Sequence, residues 1–174
     1  MSCRVVEATV SALPLDYDGR HSYSSYDDHH SEGVTMPSID VILPEGLLPA
    51  GQHRRLAAGL AEALLEAEGA PLADPYLENT SAVIHEMPPE AVHTAGTDRA
   101  ETVRVQVLTP PGVLGRDAQK QLVARATELV AEVVGDPTQA ARTWVFLTEA
   151  AEGGWGIAGL AFGREEFAAL AAGR

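Results

Sequence analysis

The sequence predicts an α+β fold in which two tandem β-α-β units join into a four-stranded sheet with both helices on one face. Three observations carry this expectation. A strand, helix, strand order is written twice after position 36. Shifting the first copy by 66 positions lays Gly46 on Gly112, Glu62 on Glu128, Gly69 on Gly135 and Pro71 on Pro137. Val103, Val105 and Val107 alternate with Arg104 and Gln106, the period of a strand in a sheet whose two faces differ.

The elements follow in order. Residues 14–33, PLDYDGRHSYSSYDDHHSEG, are polar with no apolar period, a composition that buries too little to offset its ordering entropy. Residues 1–36 are therefore read as a low-complexity extension, with a short strand around Val5, Val6 and Val10 as its one candidate element. Residues 37–100 form the first repeat. Ser38 to Leu43 reads as a strand closed by the turn Pro44-Glu45-Gly46. Pro49 suits the first turn of the helix that follows. Leu56, Leu60, Ala63, Leu64 and Ala67 give its apolar stripe before Gly69 and Pro71 end it. Thr80 to Met87 reads as the second strand. Residues 101–174 form the second repeat: strand 102–109, a helix from about Asp117 to Val134, strand 142–148, then a hairpin and a short helix. A right-handed crossover makes the strands within each unit parallel. Two units joined edge to edge about a pseudo-twofold axis leave one sheet face bare, and oligomerisation is its simplest cover.

Charge and composition narrow the partners. Twelve Lys plus Arg against 25 Asp plus Glu give a formal charge of −13, which argues against a nucleic-acid partner. A small anion remains open to a few converging arginines, because the local field outweighs the net charge. Cys3 is the only cysteine, so an intrachain disulfide and a thiolate metal site are both excluded. With no membrane-length apolar run and no export-type start, a cytoplasmic protein with no membrane partner is expected. His53, His85 and His93 lack metal-site spacing. The cluster His21, Asp27, Asp28, His29, His30 reads as solvated rather than metal-binding. No phosphate loop or dinucleotide fingerprint occurs, so neither a cofactor nor a metal is expected.

Two segments resemble the tautomerase superfamily, which includes 4-oxalocrotonate tautomerase and macrophage migration inhibitory factor. Pro37-Ser-Ile-Asp-Val-Ile-Leu-Pro-Glu-Gly46 resembles the opening strand and turn of that family. Thr148-Glu149, followed by Gly153-Gly154-Trp155-Gly156-Ile157-Ala158-Gly159, resembles the strand end and aromatic hairpin beside its active site. The resemblance covers residues 37 to about 163, is of the fused two-repeat type, and implies a homotrimer.

It also implies a mechanism. In the family an N-terminal proline, freed by removal of the initiator methionine, acts as general base or acid, and arginines hold the substrate. Met36-Pro37 is that pair, displaced into the chain. A free Pro37 would be a secondary amine, whereas within a chain its nitrogen is an amide. Its other reading is simply the first residue of a strand. The family's arginine positions in the first repeat fall on Leu47 and Ser81. Arg116 in the second repeat stands close to one such position, Arg142 is read as starting a strand that carries Trp144 and Phe146, and Trp155 aligns with the active-site aromatic. Where dehalogenating members have a histidine and a tyrosine, this chain has Leu64 and Phe146. The resemblance thus implies a cofactor-independent isomerase acting on a small anionic carbonyl acid, with Pro37, Arg116, Arg142 and Trp155 at its site. The competing expectation is a non-catalytic binding or structural protein in which the extension blocks Pro37.

Overall fold

The computed structural model of the chain describes residues 37–157 and 159–171. The extension, its candidate strand and the His21 to His30 cluster lie outside them. Strand β1 (Ser38–Pro44) leads through a turn to helix α1 (His53–Glu68), a single turn α2 (Tyr76–Asn79) and strand β2 (Ser81–Met87). Strand β3 (Val103–Thr109), helix α3 (Arg116–Val134) and strand β4 (Thr143–Glu149) repeat the order. A hairpin of β5 (Trp155–Ile157) and β6 (Leu160–Phe162) precedes helix α4 (Arg164–Ala171).

The sheet order is β2-β1-β3-β4. Each repeat contributes a parallel pair, and the two repeats meet through antiparallel β1 and β3, in which Ser38 faces Leu108 and Val41 faces Val105. This is the edge-to-edge join about a pseudo-twofold axis that the repeat predicted. Ile39, Val41 and Leu43 of β1 and Val103, Val105 and Val107 of β3 point to one face and are buried. Leu56, Leu60 and Leu64 of α1 cover them, with Leu122, Ala126, Val130 and Val133 of α3. Both helices thus lie on that face and touch each other, Gly59 receiving the Leu129 side chain. Gly69 and Gly135 cap α1 and α3 in the left-handed conformation at φ 71° and 80°, as their shared place in the repeat required.

Two local readings are corrected. Pro49 is not in the first turn of α1: its carbonyl accepts from Gln52 N at 3.1 Å in a preceding turn, and Gly51 at φ 80° separates the two. Register also sets Glu86 opposite Leu43 and Glu149 opposite Thr109, and the 66-position shift lays Leu43 on Thr109, so the two glutamates hold equivalent places. Arg142 does not begin β4. It closes a 3-10 turn over Pro137–Arg142 whose first residues are tied to Asp136. Asp136 Oδ1 accepts from Thr138 N at 2.8 Å, and Arg142 Nη2 donates to Oδ2 at 2.9 Å. The Thr138 hydroxyl and amide foremost, then Arg142, hold the Asp136 carboxyl below its ordinary range.

The opposite sheet face is open. Val83, Met87, Trp144 and Phe146 are all more than a third exposed there. Beside them His85 Nε2 lies 2.7 Å from Asp40 Oδ1, and Gln106 donates to Thr148 Oγ1 at 2.7 Å. No helix among the described residues is long and apolar enough to cross a membrane.

Leu64 is fully buried between α1 and the sheet. Leu64→Ala is expected to cost about 2–5 kcal/mol in chemical denaturation. A cost below about 1 kcal/mol would mean that the helix layer closes over the gap. A carboxyl lowered by folding stabilises above the ordinary carboxylate range, and that contribution is lost as pH falls through the lowered value. Asp136→Ala is therefore expected to speed amide exchange at Thr138 near neutrality, with the difference from the parent shrinking on acidification. A difference independent of pH would show that other bonds hold the turn.

Candidate active site

The antiparallel β1–β3 pair brings the start of one strand to the end of the other. Because Ser38 faces Leu108, Pro37 sits at the end of the sheet where β3 gives way to the loop leading into α3. On its other side, Ser81 N donates to the Pro37 carbonyl at 3.1 Å. The end of β4 arrives at the same edge through parallel pairing with β3, and Ala150 N donates to the Thr109 carbonyl at 3.0 Å. One end of the sheet therefore collects Pro37, residues 110–116, Glu149 and the entry to the hairpin. Pro37 is buried. In the chain as written its nitrogen is the amide to Met36 and carries no lone pair able to take a proton.

Arg116 is the first residue of α3, which places it at this end. Its Nη1 donates to Gln119 Oε1 at 3.3 Å, and it makes no ion pair among the described residues. The guanidinium borders a groove with Lys120, Val123 and Leu147, so it lies along the β4 side of the helix. Asp117, its neighbour in sequence, is engaged by Lys120 at 2.8 Å instead. Trp155 is buried in the hairpin, edge to face with Phe167 of α4 at a centroid distance of 6.4 Å. Phe167 also meets Phe162 at 5.5 Å, so it joins Trp155 and Phe162 in a small aromatic cluster.

Two further side chains join this end: Glu149, which the sequence marked as the strand end, and Arg164, which it did not single out. Glu149 Oε2 accepts from Gly112 N at 3.1 Å, which fastens the strand end to the turn after β3. Arg164 reaches over the same turn from α4: a Cβ on Gly112 would lie 3.4 Å from its Nε. Its backbone N donates to Glu152 Oε1 at 2.7 Å, and its Nε is 3.7 Å from Oε2. Arg164 lies 52 positions beyond Gly112 and past the β-α-β part of the second repeat, so no repeat position pointed to it.

Arg142 is at the other end of the sheet. It precedes Thr143, which pairs with Val103 at the start of β3, whereas Pro37 lies beyond the end of β3. A seven-residue strand separates them by roughly 20 Å, so one chain does not bring Arg142 to Pro37 or Arg116. Its Nη2 is occupied by Asp136 and Gln139, each at 2.9 Å. Leu47 is packed against the core, Leu64 is within it, and Phe146 lies on the open sheet face. No group of three or more metal-ligating side chains gathers among the described residues.

Residues 103–165 match the family model described as Tautomerase enzyme. No curated protein matches the chain. Among solved structures, a fused 4-OT wild-type symmetric trimer is similar at 22% identity and a TM-score of 0.62, covering 79% of this chain and 99% of that one. A fused 4-OT wild-type asymmetric trimer is similar at 25% identity and a TM-score of 0.60, covering 71% and 94%. A member of the cis-3-chloroacrylic acid dehalogenase family is similar at 20% identity and a TM-score of 0.60, covering 74% and 87%. Residues 103–165 thus carry a tautomerase-type repeat, and the chain shares the two-repeat fold of these neighbours.

Proposed function

We propose that the chain is a cofactor-independent tautomerase that moves a proton within a small carbonyl acid when Pro37 is the first residue of the mature protein. The position of Pro37 carries this reading: it precedes the central strand and faces the second repeat's turn, next to the start of α3. A free α-amino group titrates near about 7.7–8.0, and partial burial beside cations lowers it toward neutrality. Such an amine removes a proton from the carbon beside a carbonyl, the electron pair passing to the carbonyl oxygen as an enolate. The same nitrogen returns the proton to a second carbon, completing the isomerisation without net redox change. Arg116 is the cation proposed to hold the substrate carboxylate, its planar guanidinium suiting two oxygens at once. Trp155 with its aromatic partners would form the apolar wall. Arg142 stands at the far end of the sheet and takes no part in this proposal.

We further propose a homotrimer, as in the fused 4-OT neighbours described as trimers. The bare apolar face bearing Trp144, Phe146 and Val83 is the surface such an assembly would cover. The proposed division of the chain leaves residues 1–36 as the segment that must be absent for activity. A second reading is a non-catalytic relative that keeps this segment. Leu47 and Ser81, in place of the first repeat's arginines, favour it.

Intact mass on protein from its native cell distinguishes the two, a mass for residues 37–174 being expected. Deuterium uptake beside the carbonyl of a 2-oxo acid should then be at least about a hundredfold faster for protein starting at Pro37 than for protein retaining Met36. Equal rates would refute Pro37 as the base. Trp144→Glu is expected to lower the mass in solution from three chains toward one by light scattering, and an intact trimer would place the contact elsewhere.

A further inference from the structure

The pseudo-twofold axis between β1 and β3 gives the Pro37 end a counterpart at the other end of the sheet. There Thr102 precedes β3 as Pro37 precedes β1, and the turn from Pro44 to Leu47 takes the place of the loop after β3. A cavity of about 700 Å³ opens at this second end, larger than the groove of about 500 Å³ beside Arg116. Thr102 lies within the chain, so its nitrogen is an amide and the cavity holds no amine of the Pro37 kind.

Its wall is nevertheless equipped for an anion. Arg99 borders the cavity and makes no side-chain hydrogen bond or ion pair among the described residues, which leaves a whole guanidinium uncommitted. Arg142 borders it too. While Nη2 is taken by Asp136 and Gln139, its Nε is buried with no partner. A donor sealed from water is sealed from a ligand too, so Arg99 is the cation that a bound anion can reach. Pro44, Leu47 and Pro89 supply an apolar side to the same space.

The acids set a limit on the ligand. Glu101 lies 3.6 Å from Arg142, and Asp136 is closer still, so Arg142 brings little net charge. Glu45 borders the cavity with no side-chain partner among the described residues. One uncommitted cation therefore faces one uncommitted carboxylate, and a second negative charge on a ligand would meet Glu45.

We infer that this cavity is a second ligand site, which binds small monocarboxylates with an apolar body and leaves them chemically unchanged. The carboxylate pairs with the Arg99 guanidinium, and the body lies against Leu47, Pro44 and Pro89. The inference does not rest on Pro37 being a base.

The probe is 4-fluorobenzoate, titrated into the full chain and followed by fluorine NMR, with 4-fluorophthalate as the dianionic comparison. Saturable binding of 4-fluorobenzoate is expected, weakened about tenfold or more in Arg99→Ala and unchanged in Arg116→Ala. Glu45→Gln is expected to narrow the preference for 4-fluorobenzoate over 4-fluorophthalate, without loss of the former. The absence of saturable binding up to millimolar probe would overturn the proposal. So would equal affinity in Arg99→Ala, or a loss in Arg116→Ala with none in Arg99→Ala, which would assign the signal to the Pro37 end. All three variants change exposed side chains, and amide spectra like those of the parent verify that each is folded.

Discussion

The antiparallel contact between β1 and β3 is the constraint on which the rest of the structure depends. Neither β-α-β unit closes a core by itself, because a two-stranded parallel pair under one helix leaves its inner edge unpaired. Joining the inner edges completes the backbone pairing and places Ile39, Val41 and Leu43 beside Val103, Val105 and Val107 under both helices. The contact also decides what meets what. Since the central strands run in opposite directions, the start of each repeat lies against the turn of the other.

That geometry explains why a chain with Leu47 and Ser81 in its first repeat can still present cations near Pro37. The turn facing Pro37 belongs to the second repeat, which carries Arg116 at its helix start, and α4 lays Arg164 over the same turn. The complementary turn, with Leu47 and no arginine, faces Thr102 instead. Duplication followed by divergence has left the two ends chemically distinct: a proline with cations of the second repeat at one, and Arg99 and Arg142 around a cavity without an amine at the other.

The sheet's two faces differ as sharply as its two ends. The helix-covered face is wholly aliphatic at its centre, whereas the open face mixes Trp144, Phe146 and Val83 with the Asp40–His85 and Gln106–Thr148 pairs. Hydrogen-bonded polar pairs set among apolar side chains suit a surface that tolerates partial burial, since their donors and acceptors are already matched. A chain of net charge −13 resists indiscriminate association, which leaves this face, rather than the charged periphery, as the place for a specific one.

The sequence by itself determined the repeat, the order of strands and helices, the capping glycines Gly69 and Gly135, and the existence of one bare sheet face. These follow from local periodicity and backbone preference, which neighbouring residues carry between them. It missed the turn before α1 and the 3-10 turn that takes Arg142 out of β4. Each of those depends on hydrogen bonds rather than on period. Only the tertiary structure decided that Arg142 lies a strand's length from Pro37 and that Arg164 and Glu149 lie near the turn Pro37 faces. The physical reason is that sheet pairing joins residues by strand direction and register, so distance along the chain says little about which charged groups share an end.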